Sequence, residues 1–164
     1  MPIEGMNRKN YLLSKYKNKD QIIKKLNQLK DAGKELGIFF QFDKISVTPN
    51  TLASHKLLAL AHKYNKQNQV LETLFFQYFI EGKNIGNLDI LSEVGMQYAL
   101  FDSENENYLS NQIDNQNLLN EQLQAKFLGI SGVPSFIFNK KYVIYGAQEK
   151  KYFDEIISSI CNEH

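Results

Sequence analysis

The sequence holds a single cysteine, Cys161, in 164 residues. One thiol can close no internal disulfide and leaves no Cys-x-x-Cys pair, which excludes a disulfide framework and a self-contained dithiol site. Neither sign of charge is in excess: 19 basic and 18 acidic side chains give a net charge of +1. Such a balance offers nothing to a nucleic-acid polyanion or an anionic membrane surface. No uncharged apolar run approaches the ~20 residues that span a bilayer. Met1-Pro2-Ile3-Glu4-Gly5-Met6 shows neither the basic start nor the apolar stretch of a secretory signal, so the cytoplasm is the expected compartment. There are no Pro/Gly/Ser-rich linkers and no fixed-period repeats, so one domain is expected. His55 and His62 stand seven apart, not the four that put two metal ligands on adjacent turns, and no metal site is expected. Phosphate loops, nucleophile elbows and paired carboxylates are also absent.

What is present is an ordinary core, with 43% apolar residues, arranged first in helical and then in strand periodicity. A short helix is expected over 7–16. A second is expected over 20–36, with Ile22, Ile23, Leu26, Leu29, Gly33 and Leu36 on one stripe, lysines opposite, and Gly37 closing it. Ile38 to Phe42 is extended. Thr48-Pro49-Asn50-Thr51 reads as a helix start. Over 67–81, Val70, Leu71, Leu74, Phe75, Tyr78 and Phe79 recur as in a well-buried helix, and its aromatic cluster reads as core. Further helices are expected over 87–99 and 118–128, with 103–116 a short helix or a loop. The period then changes. Ser135-Phe136-Ile137-Phe138, Asn139-Lys140 and Lys141 to Tyr145 read as a β-hairpin, followed by a last helix with Phe153, Ile156, Ile157 and Ile160 inward. Cys161 follows that stripe and reads as a small, at least half-buried hydrophobe. Asn50 and His55 read most simply as an N-cap and a half-exposed helix histidine. Pro134 opens the first hairpin strand, a position where a missing N–H is tolerated whether its peptide bond is cis or trans.

Five blocks, in order, carry a resemblance: Pro2 to Met6; Thr48-Pro49-Asn50-Thr51 with Ser54-His55; Phe75 to Gly86; Gly129 to Phe136; and Tyr145-Gly146-Ala147-Gln148. From Met1 to Ile160 the chain resembles DsbA-family proteins of the FrnE type, relatives of 2-hydroxychromene-2-carboxylate isomerase and kappa-class glutathione transferase. The resemblance implies an α/β, thioredoxin-like fold with a large helical insertion (1–128), followed by a cis-proline loop, hairpin and terminal helix (129–164). It implies that Pro134 is cis and that Val133, Pro134 and Ser135 receive a substrate, with Asn50 and His55 on the same side. Family members begin earlier, with a strand, a Cys-Pro-x-Cys motif and a second strand. The chain is therefore expected to lack that N-terminal redox segment, to be mostly helical, and to be inactive by itself in the family's thiol–disulfide oxidoreductase chemistry.

The expected ligand is a thiol or peptide substrate, with glutathione a candidate. No cofactor, nucleic acid or membrane is expected. Two other readings stand beside this one: a non-catalytic peptide- or glutathione-binding module, and a helical dimerisation protein in which unprotected strand edges recruit a second copy.

Overall fold

Asparagine side chains open three of the helices, each accepting from main-chain N–H groups that the first helical turn leaves unpaired. Asn7 accepts from Asn10 N–H at 3.2 Å and starts α1 (Arg8–Lys15). Asn18 accepts from Gln21 N–H at 2.9 Å and starts α2 (Lys19–Glu35). Asn87 accepts from Asp89 N–H at 2.7 Å and starts α5 (Leu88–Gln97). Between them lie α3 (Leu52–Lys63) and α4 (Gln67–Phe76), the latter running into a π-helical turn, Gln77–Glu81. The computed structural model describes residues 1–16, 18–102, 107–110, 120, 123–130, 132–139 and 141–162. They fall into two compact units, Met1–Leu118 and Leu119–His164. The expectation for 103–116 lies largely outside the described residues, as does part of the helix expected over 118–128.

The first unit is built on α3. Leu57, Leu60 and Ala61 pack with Val70 and Leu74 of α4, Leu91 and Val94 of α5, and Leu100, all close to fully buried. The π turn ends at Gly82, whose left-handed φ of +76° suits glycine. A Cβ there would lie 2.5 Å from the Lys44 carbonyl oxygen, so no side chain fits. The burial over 67–81 is narrower than its pattern suggests. Val70, Leu74 and Tyr78 are core, but Phe75 and Phe76 are exposed, because the extended segment beside them shields only Phe79. On α2 the stripe is likewise only half covered: Gly33 is buried under the Phe40 ring, while Ile23, Leu29 and Leu36 stay open. Lys56 is 1% exposed. Its Nζ donates to the Leu109 carbonyl at 3.0 Å and lies 5.6 Å from the Tyr108 ring centre, which together replace water around the buried cation.

A two-stranded antiparallel ladder, β1 (Met6–Asn7) with β2 (Val47–Thr48), ties the start of the chain to this core through Met6↔Thr48 and Asn7↔Val47. Arg8 reinforces it: Nη1 donates to the Tyr78 hydroxyl at 3.3 Å and lies 3.5 Å from Thr48 Oγ1. Burial pushes the Tyr78 hydroxyl above the ordinary phenol range, and Arg8 and Thr48 offset only part of that rise.

In the second unit residues 123–127 are helical (α6), followed by the hairpin of β3 (Ser135–Phe138) and β4 (Tyr142–Tyr145) and by α7 (Lys150–Cys161). The hairpin register runs from Ser135↔Tyr145 to Phe138↔Tyr142, so Phe136 and Ile144 share one face. Phe136 meets Phe153 of α7 edge to face at 4.9 Å, and Ile144 is buried. Of the inward stripe expected on α7, Phe153, Ile156 and Ile160 are half-buried and Ile157 is exposed. Cys161 is exposed as well, because it sits one residue beyond Ile160, a turn of about 100° off the stripe. No helix among the described residues is long and apolar enough to cross a membrane.

Two outcomes test this packing. Leu57→Ala, at a position with no exposed surface, is expected to destabilise the protein by about 2–5 kcal/mol in urea denaturation, against roughly 0.5 kcal/mol or less for the exposed Leu36→Ala. The folded state keeps Tyr78 protonated above its unfolded range, so that contribution is complete below the ordinary phenol value of about 10 and is lost as pH rises through the higher folded value. Wild type should therefore lose more stability than Tyr78→Phe as pH rises above about 10.

Candidate functional site

The hairpin of the second unit is entered through Gly132-Val133-Pro134, and the Val133–Pro134 peptide bond is cis. Proline donates nothing to a ladder, so its place at the strand's entry leaves no donor missing from the sheet. Its carbonyl is used instead: Gly146 N–H donates to Pro134 O at 2.8 Å, extending the ladder one step beyond Ser135↔Tyr145. Gly146 does this at φ +78°, a conformation that side-chain-bearing residues rarely adopt. The next turn is held by the Gln148 side-chain amide, which donates to the Tyr145 carbonyl at 3.0 Å. On the other strand the Ser135 hydroxyl donates back to Gly132 O at 2.7 Å. The loop is thus fixed on both sides by bonds that involve neither main-chain group of Val133.

Those two groups, the Val133 N–H and C=O, have no partner among the described residues. The residue itself is 92% exposed. An open amide and carbonyl next to the first residue of a strand can pair with an extended chain as one more rung of β structure. The loop carries no thiol. The one thiol of the sequence, Cys161, is exposed at the C-terminal end of α7.

Val133, Pro134 and Ser135 are thus contiguous in one small structure. Asn50 and His55 belong to the first unit. Asn50 spends both ends of its side chain on the main chain: Oδ1 accepts from Leu52 N–H at 3.0 Å, and Nδ2 donates to Pro2 O at 3.2 Å and lies 3.4 Å from Met1 O. It thereby shapes the entry to α3 and fastens the chain start. Gly86 packs against it so tightly that a Cβ would come within 2.7 Å of the Asn50 carbonyl oxygen. His55 is exposed on the first turn of α3. Gly146 and Gln148, which hold the loop, lie in the block that leads from the hairpin into the last helix. A glycine just past an apolar strand was the signal for a bond across to Pro134.

Comparison with known proteins supplies a family. The model of the DSBA-like thioredoxin domain matches residues 1–158. Among curated proteins, the chain is 31% identical over 134 residues to the uncharacterized protein YwbO of Bacillus subtilis (strain 168), covering 79% of this chain and 65% of that protein. The chain therefore spans slightly less than two thirds of this relative's length.

Gly146→Ala should cost about 1–2 kcal/mol through its left-handed backbone. It should also move the amide resonances of Gly132, Val133 and Ser135 in a ¹H–¹⁵N spectrum while leaving those of α3 in place. An unchanged loop would mean that Gly146 does not hold it.

Proposed function

The chain belongs to the DSBA-like thioredoxin domain family, and from that membership we propose that it serves thiol–disulfide exchange as the part that receives the substrate. The observation that carries this reading is the Val133 main chain, exposed and unpaired among the described residues beside a hairpin strand whose other bonds are fixed. A substrate in extended form, a cysteine-bearing peptide or glutathione, would lie along it and accept from Val133 N–H while donating to Val133 C=O. Its side chains would then meet Pro134 and Ser135.

Exchange itself requires an attacking thiolate and a second thiol to resolve the mixed disulfide. With one cysteine, at the wrong end of its helix for that purpose, this polypeptide holds a substrate without turning it over. The five blocks of FrnE type support assignment to that branch of the family. A cytoplasmic setting accords with a chain that needs no disulfide of its own.

An insulin-reduction assay combined with an NMR titration tests the reading. The polypeptide should add nothing to the uncatalysed rate of insulin reduction by dithiothreitol. Reduced glutathione or a short cysteine-containing peptide should shift the Val133 and Ser135 amides first. Catalysis by this polypeptide alone, or saturable binding that leaves the loop amides unmoved, contradicts the proposal.

A further inference from the structure

The first unit carries a concave feature rich in aromatic side chains. Glu72, Phe75, Phe76 and Phe79 follow the spacing i, i+3, i+4, i+7 and so form one face of α4 and the π turn that continues it. Opposite them runs the extended segment with Phe39 and Phe40. Together they enclose a hollow of about 560 Å³, within the range of small-molecule sites.

The floor is rigid. Phe40 and Phe79 meet edge to face at 5.4 Å, and Gln41 N–H donates to the Phe79 carbonyl at 2.8 Å. Beneath Phe40 lies Gly33, where a Cβ would come within 2.6 Å of the ring. The walls stay open: Phe39 is 63%, Phe75 47% and Phe76 54% exposed. A soluble protein that leaves three phenylalanines uncovered around a fixed floor presents a surface made for an apolar occupant.

Charge then narrows the choice. Glu72 is the one charged residue of the lining, and among the described residues it makes no hydrogen bond or ion pair. A cation brought over a phenyl ring is attracted by the ring quadrupole, and the Glu72 carboxylate favours the same sign. We propose that this hollow binds a bulky lipophilic organic cation, such as a quaternary ammonium or phosphonium ion or an aryl-substituted amine. An apolar anion of the same shape meets the same rings but is repelled by Glu72. The hollow belongs to the first unit and the Val133 loop to the second, and nothing in thiol exchange requires the hollow.

Tetraphenylphosphonium and tetraphenylborate have nearly the same shape and opposite charge, which makes them the probes of choice. Titration calorimetry with the full polypeptide should show saturable binding of the phosphonium and weaker binding of the borate. Glu72→Gln should weaken the phosphonium roughly fivefold or more and shrink the difference between the two ions. Phe76→Ala, at an exposed position that leaves the fold intact by circular dichroism, should weaken both. Three results overturn the proposal: the borate binding as tightly as the phosphonium, Glu72→Gln leaving phosphonium affinity unchanged, or sedimentation revealing a dimer that Phe76→Ala dissociates and the phosphonium does not, since a second copy then fills the hollow.

Discussion

One hydrogen bond organises the second unit: Gly146 N–H to the Pro134 carbonyl at 2.8 Å. It fixes the entry of β3 against the exit of β4 at the one residue that cannot donate to the ladder. It requires a left-handed backbone at position 146, and so a glycine. With Pro134 held from that side and Gly132 held by the Ser135 hydroxyl, the Val133 peptide groups are positioned without being consumed. Preorganisation of this kind lowers the ordering cost that an incoming extended ligand would otherwise meet. The proposed role in receiving a substrate follows from this division, in which the neighbours form the scaffold and Val133 stays free.

The first unit uses the same economy for stability. Short polar side chains close its joints: Asn50 holds Pro2 and Leu52, the Ser54 hydroxyl donates to the Ile85 carbonyl at 2.5 Å, and Arg8 bridges the chain start to Tyr78. The Ser54 bond is the buried one, and there a stranded Ile85 carbonyl would cost about 1–3 kcal/mol. The sequence blocks that carry the family resemblance map onto these joints. Thr48 to Asn50 meets Gly86 and the chain start, and Tyr145 to Gln148 holds the Pro134 loop. The DSBA-like thioredoxin fold, an α/β architecture, is thus specified here by joints as much as by its apolar core.

Where periodicity alone decides, the sequence was legible. Helices α2 and α5 lie within two residues of their expected bounds, α3 begins just after the Thr48–Thr51 start, and the hairpin differs only in its turn, where β4 begins at Tyr142. Features set by distant partners were not. The β1–β2 pair has two residues per strand, too few for any alternation to register. Nothing local to Lys56 marks it as buried; a carbonyl and a ring from far along the chain surround it. Phe75 and Phe76 read as core because the sequence shows how many apolar residues a helix carries, not how much neighbouring surface exists to cover them. At the candidate site, the loop and its proline were visible in the sequence. The double use of Asn50 depends on where the chain start folds back, which no local pattern records.

The proposed role requires the Val133 amide to be open in the free protein and engaged when a substrate arrives. Amide hydrogen exchange, read at that single residue by NMR, measures this directly. In the free polypeptide the Val133 amide should exchange near the rate of an unstructured peptide, while Gly146 is protected. A saturating extended cysteine peptide should slow Val133 about tenfold or more. A Val133 amide already protected in the free chain, or one that exchanges as fast with peptide bound as without, contradicts the account.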